Sequence, residues 1–342
     1  MKRISAIPAM ILALTLCAAF VSDAQAAAKY VMKVAFTTPE TDGITVGSRA
    51  FAKFVAEKSN GELEVQVFPG GQMGSEREMI EGVQMGILES AVPSTGPFAN
   101  LDPNMVIFDT PYMFANKPIA YEVLDGPLGD KLRESFLKKT GIRILAFTEN
   151  GYRHYTNAVR AVSKPEDLKG LKIRTMENPI HMEITRLTGA IPTPMPFLET
   201  YTALAQKVVD GQENPISLIV AMRFHEVQKH MTLDGHVYSP LAILINDKFY
   251  QGLPENLRKI VDEGAPMWRD VIRQVRQKQD EEGIAEIKKA GVTITELNAD
   301  QLAQFRAATK PVSEKIQGMI DPALPKLLGE EMAKAEAKHM KK

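Results

Sequence analysis

Two arginines in the middle of the chain are the residues best placed to do chemistry. Arg153 lies in Glu149-Asn150-Gly151-Tyr152-Arg153-His154-Tyr155, just beyond the apolar run 142–147, and Arg174 closes Gly170-Leu171-Lys172-Ile173-Arg174. Both sit where a strand hands its last residues to a cleft, a common ligand position in open α/β sheets. A guanidinium keeps its charge at any physiological pH, and its planar fork matches both oxygens of a carboxylate. The simpler use of each is a surface or interdomain ion pair. The turn Asp210-Gly211-Gln212-Glu213-Asn214-Pro215 adds Asn214, whose amide donates and accepts at once. Tyr152, Phe197, Tyr201 and Tyr238 offer amphipathic walls for a small organic molecule, or ordinary core packing. Tyr152 and His154 beside Arg153 add polar and aromatic capacity suited to a hydroxylated acid.

Catalytic signatures are missing from the sequence. It holds no phosphate loop followed by lysine, no G-x-S-x-G elbow and no H-E-x-x-H helix. Gly70, Gly71 and Gly74 read as a strand-to-helix turn. His225 and His230 are five apart, off the i,i+4 spacing of a helical metal pair. The residues therefore call for no cofactor and no metal.

Composition bounds the rest. The 342 residues are 44% apolar and 24% charged, with 41 Lys plus Arg against 42 Asp plus Glu and a single Cys. This excludes disorder, a coiled coil and a disulfide-stapled scaffold, and a net charge of −1 gives no general attraction to nucleic acid or anionic membrane. Lys2 and Arg3, the apolar run Ile7 to Val21 and the small-x-small Ala24-Gln25-Ala26 mark residues 1–26 as a secretory signal. The run is short for a membrane span, and its removal takes the only cysteine, Cys17, with it. The expected product is a soluble periplasmic protein.

Elements able to position the arginines alternate between β and α. Strands are expected at 30–36, 63–68, 142–147, 155–162, 171–174, 241–246 and 292–297, with short strand or core segments at 87–92 and 106–108. Ser75 and Glu78 make a capping box for a helix, and 128–139 and 301–309 also read as helical. From Pro254 the apolar residues Leu257, Ile260, Val261, Met267, Trp268, Val271, Ile272 and Val275 outline one long helix, with a break expected near Gly264-Ala265-Pro266. The end of the chain, 333–342, is expected to fray. Mixed α/β sheets follow.

Several ordered strings carry a resemblance: Gly74-Ser75-Glu76-Arg77-Glu78, Ser94-Thr95-Gly96-Pro97, Pro165 through Arg174, Val209 through Pro215, and Tyr238-Ser239-Pro240. With their spacing they resemble the substrate-binding proteins of tripartite ATP-independent periplasmic (TRAP) transporters, the DctP-like family. The resemblance implies a periplasmic binding protein-like α/β fold of two lobes, hinged and braced by a long helix. Lobe I would comprise 27–150 and 239–278, lobe II 151–238 and 279–332, with 333–342 a flexible tail.

The resemblance also implies a receptor that closes on a small organic acid and delivers it to integral membrane transporter subunits. Arg174 would hold the ligand carboxylate, Arg153 would orient it, Asn214 would hydrogen-bond the ligand, and Glu76 and Thr95 would lie in the pocket. A sugar acid such as a uronate is favoured, with a C4-dicarboxylate, an aromatic acid or a 2-oxo acid as alternatives. A secreted lyase or isomerase is the reading from another class. A monomer is expected, with a dimer left open.

Overall fold

The computed structural model describes residues 28–340, so the expected signal segment 1–26 lies outside the described residues. Among the described residues nine strands form one sheet: β1 (Tyr30–Ala35), β2 (Leu63–Phe68), β3 (Ser90–Ala91), β4 (Ile142–Asn157), β5 (Lys172–Thr175), β6 (Ile191–Pro194), β7 (Gly211–Asn214), β8 (His230–Asn246) and β9 (Thr293–Glu296). Their order is β2-β1-β3-β8-β4-β7-β5-β6, with β9 on β8.

Two long strands make this sheet two-lobed. β4 and β8 run antiparallel from Ile142 opposite Asn246 to Asn157 opposite His230. At one end β3 joins β8 at Leu244 and Ile245 and leads to β1 and β2. At the other end β7 joins β4 at His154 to Asn157, and β9 joins β8 at His230 to Leu233. The same two strands thus belong to both halves and connect them.

The sequence reading divided β4 and shortened β8. It ended the first at 147, resumed it at 155 and began the last at 241, because the middle of β4 reads Glu149-Asn150-Gly151-Tyr152-Arg153-His154. Polar as they are, Glu149, Gly151, Tyr152 and Arg153 pair with β8, and His154 pairs with β7. The register shifts between Glu149 and Gly151, leaving Asn150 as the extra residue of a bulge opposite Pro240, which has no N–H to give the ladder. Gly151 has a φ of +127° there, a conformation side chains disfavour. Residues 106–108, read as strand or core, lie in the 3-10 helix Pro103–Asp109.

The long helix is Glu255–Lys289, unbroken although Pro266 lies inside it. At 35 residues it spans about 52 Å. Trp268 stacks on Phe51 of helix Gly43–Lys58, ring centroids 4.4 Å apart, while farther along Gly283 lies against Ile216 and Val220 and Ile287 joins the core around Phe197 and Phe224. The helix therefore packs on both halves of the sheet.

The C-terminal end departs from the sequence reading. Residues 333–339, expected to fray, continue the helix Leu324–His339. Leu324 and Ala335 are buried in the core that also holds Ile119, Val123, Leu128 and Leu132, so the helix packs on residues expected in lobe I. Glu122 receives hydrogen bonds from Lys338 and His339 at 2.8 and 2.6 Å. Among the described residues no helix is long and apolar enough to cross a membrane.

Candidate functional site

A narrow cavity lies where β4, β5 and β7 meet residues of the β1 side. Arg153, Arg174, Asn214, Glu76 and Phe197 line it, five of the ten residues singled out in the sequence. Thr37, Thr38, Ser94, Asn150, Met176 and Arg276 complete its polar and soft edges, and Ile44, Val92, Leu218 and Leu241 its apolar floor.

Arg174 is the third residue of the four-residue strand β5. Its side chain is 2% exposed, and Nε and Nη2 donate to the carbonyl of Met195 at 3.2 and 2.8 Å. The guanidinium carbon lies 5.7 Å from the centre of the Phe197 ring. Nη1 is buried and has no hydrogen-bond partner among the described residues, and no carboxylate pairs with this guanidinium there. Burial, then the nearby Arg153 charge, lower its pKa to about 10, which still leaves it charged at neutral pH.

Arg153, 1% exposed, is already matched. Nε and Nη2 donate to the carboxylate of Glu213, and Nη2 also to the backbone carbonyl of Glu213 and, at 3.0 Å, to Oδ1 of Asn214. Asn214 in turn donates through Nδ2 to Gln212. The antiparallel pairing of β4 with β7, His154 opposite Asn214, brings these groups together.

Behind Arg153 lies a fully buried set of ionisable groups. His181 pairs with Asp109 at 3.1 Å, and His236 reaches Asp234 at 2.7 Å and Glu213 at 3.3 Å. Burial opposes the charge on Glu213, but Arg153, His181 and His236 together hold its carboxyl well below the usual range. Burial likewise opposes charge on His236, yet Asp234 and Glu213 push it up to about 9. His154, dominated by burial, falls to about 4.

Arg276 faces the cavity from the long helix. Its Nη2 donates to both oxygens of Asp42 at 2.8 and 2.9 Å, and Nη1 donates to Oδ1 of the bulge residue Asn150 at 2.8 Å. Asp42 is also the N-cap of helix Gly43–Lys58. Glu76, the first residue of helix Glu76–Met85, accepts from the backbone N–H and hydroxyl of Ser94 at 2.7 and 2.9 Å.

Five expected site residues lie elsewhere. Tyr152 and His154 fall on the face of β4 opposite Arg153, as strand alternation requires. The Tyr152 hydroxyl donates to the carbonyl of Phe114, and Nδ1 of His154 accepts from Gly235 N–H at 3.0 Å. Tyr238, directly opposite Tyr152 in the ladder, shares that face and donates to Glu149 at 2.6 Å. Thr95 turns away from its neighbour Ser94 to donate to Pro240 O at 3.3 Å. Tyr201 is half-buried on helix Thr200–Ala205, its hydroxyl 3.4 Å from Glu226.

Sequence reasoning passed over Arg276, Asn150, Thr37 and Thr38. A β-strand ending in hydroxyl residues before a helix N-cap was the available signal.

The family model DctP, described as bacterial extracellular solute-binding protein, family 7, matches residues 34–318. A solute-binding protein of Verminephrobacter eiseniae is 42% identical over 294 residues, 86% of this chain and 87% of its own. The 2,3-diketo-L-gulonate-binding periplasmic protein YiaO of Escherichia coli is 35% identical, covering 78% of this chain and 81% of its own. Among solved structures, the sugar acid binding protein DctPAm of Advenella mimigardefordensis in complex with galactonate superposes with a TM-score of 0.87 at 31% identity, over 90% of this chain and 99% of its own.

Proposed function

This chain belongs to the DctP family of bacterial extracellular solute-binding proteins, family 7, and we propose that it is a receptor for a hydroxylated sugar acid, an aldonate or a uronate. The observation that carries the reading is the Arg174 guanidinium, buried at the cavity wall with Nη1 unpartnered and in ion-pair contact with no carboxylate among the described residues. Leaving a buried charged donor unmatched is costly, so the site favours an incoming anion. A carboxylate answers the guanidinium fork, while Thr37, Ser94, Asn150 and Asn214 offer neutral groups to hydroxyls farther along the ligand. The galactonate complex of the Advenella protein and the diketogulonate binding of the Escherichia coli relative support the same ligand class.

In this reading the protein is exported by its first 26 residues, binds between lobe I (27–150 and 239–278) and lobe II (151–238 and 279–332), and releases its ligand unchanged to a TRAP membrane transporter. The helix Leu324–His339 is better grouped with lobe I, against which it packs. Ligand touching both lobes favours closure by its extra affinity for the closed state. A thermal-shift screen of organic acids followed by calorimetry tests the reading, because a specific ligand stabilises the folded receptor by linkage. Sugar acids should raise the midpoint and be recovered intact; no response to any acid, or conversion of the ligand, overturns it.

A further inference from the structure

Two groups facing the cavity have no ionic partner among the described residues. Arg153 is matched by Glu213 and Arg276 by Asp42, which leaves Arg174 and Glu76. Their charges are opposite, and the negative charge of Glu76 is among those that oppose the effect of burial on Arg174.

The Glu76 carboxylate suits the first turn of the helix that begins with it, but it takes no part in the cap. Ser75 and Glu78 already form the capping box, each answering the other's backbone N–H. The Glu76 carboxylate instead turns to Ser94, whose N–H and hydroxyl fix both of its oxygens at the cavity wall. A carboxylate has about four accepting positions, so two such bonds leave room for further donors. Ser94 is itself held close to the opposite lobe, its hydroxyl 3.6 Å from Sδ of Met176.

Resting on the reading of this cavity as an organic-acid site, we propose that Glu76 determines its specificity, admitting acids with one carboxylate and hydroxyls at the far end and rejecting dicarboxylates of the same length. A hydroxyl donates to Glu76 in a charge-assisted bond. A second carboxylate in the same place meets a like charge in a partly desolvated site and leaves Glu76 without its donor, a repulsive device of the kind that sharpens selectivity. Thr37, Ser94 and Asn150 share the cavity and present neutral donors and acceptors, the complement of a hydroxylated chain rather than of an ammonium group.

The test is calorimetry on the full mature chain with two pairs: D-galactonate with galactarate, and D-glucuronate with glucarate. The first pair differs only at C6, hydroxymethyl against carboxylate, and is the decisive one; the second sets a pyranose acid against an open-chain diacid. Wild type should bind the better monocarboxylate at least 100-fold tighter than its dicarboxylate. Glu76→Gln, which keeps the shape and an accepting oxygen, should reduce that ratio at least tenfold, chiefly by tightening on the dicarboxylate. A wild-type preference below threefold overturns the proposal without any variant, as does a Glu76→Gln chain that folds and keeps the wild-type ratio. Should Glu76→Gln not fold, Glu76→Ala, which removes the charge altogether, must shift the ratio in the same direction or the proposal falls. Binding of the monocarboxylates with an unaltered ratio overturns only the role of Glu76. Failure of the wild type to bind any of the four acids overturns the organic-acid reading as well.

Discussion

Arg276 and Asp42 stand 234 residues apart in sequence and meet as a fully buried ion pair, Nη2 of the arginine lying 2.8 and 2.9 Å from the two carboxylate oxygens. The pair ties the long helix to the start of helix Gly43–Lys58, and through Asn150 to the bulge in β4. Three elements that must stay aligned around the cavity are thus joined by one guanidinium.

Breaking that pair from one side leaves a buried charge without its partner. Asp42→Ala should therefore lose about 3 to 5 kcal/mol of stability, with the lost helix cap accounting for roughly 1 kcal/mol of it. Urea unfolding measures this directly, and a loss under 1 kcal/mol would refute the structural role given to Arg276.

Arg174→Lys keeps the charge and gives up the planar fork. Removing one partner of a desolvated, hydrogen-bonded charge pair costs about 2 to 5 kcal/mol, roughly 30-fold to several thousand-fold in affinity. The Lys variant should fold normally and bind its acid at least 30-fold more weakly by calorimetry; near-wild-type affinity would remove Arg174 from the site.

Stability should fall on both sides of neutrality, through different histidines. His236 is raised to about 9, above the unfolded value of about 6.5. Its contribution is therefore complete below about pH 6.5 and disappears as pH rises to about 9. His154 is lowered to about 4, so it contributes above about pH 6.5 and loses that contribution as pH falls toward 4. Glu213, held well below its usual range, adds to the acid limb as pH falls below about 4.3. Denaturation midpoints across pH 4 to 10 should show His236→Gln flattening the alkaline limb and His154→Gln the acid limb. Unchanged slopes in either variant would contradict the assignment for that residue.

Deleting residues 324–342 removes Leu324 and Ala335 from the core packed on Ile119 and Leu128. Uncovering one buried leucine alone costs about 1.5 to 3 kcal/mol. The truncated chain should lose at least 2 kcal/mol in urea unfolding, whereas a frayed tail would be removable without effect.

Much of this was legible in the chain because it is local. The alternation in Leu63 to Phe68 marked β2 residue for residue, the Ser75 and Glu78 capping box formed as read, and the apolar stripe through Trp268 and Ile272 gave the long helix. Arg174, Arg153 and Asn214 stood out because a charged fork and a bifunctional amide beside strand ends suit ligand binding whatever the rest of the fold does.

The sequence by itself marked most of the local elements, drew attention to the arginines and carried the family resemblance. Tertiary structure decided how β4 and β8 pass through both lobes with polar centres, which face Tyr152 and His154 take, and that Arg276 meets Asp42 while Glu76 meets Ser94. Hydrophobic periodicity reports where apolar side chains are hidden from water. It is blind to buried polar groups, which become tolerable only when a partner far away in sequence matches them, and that match exists only once the chain has folded.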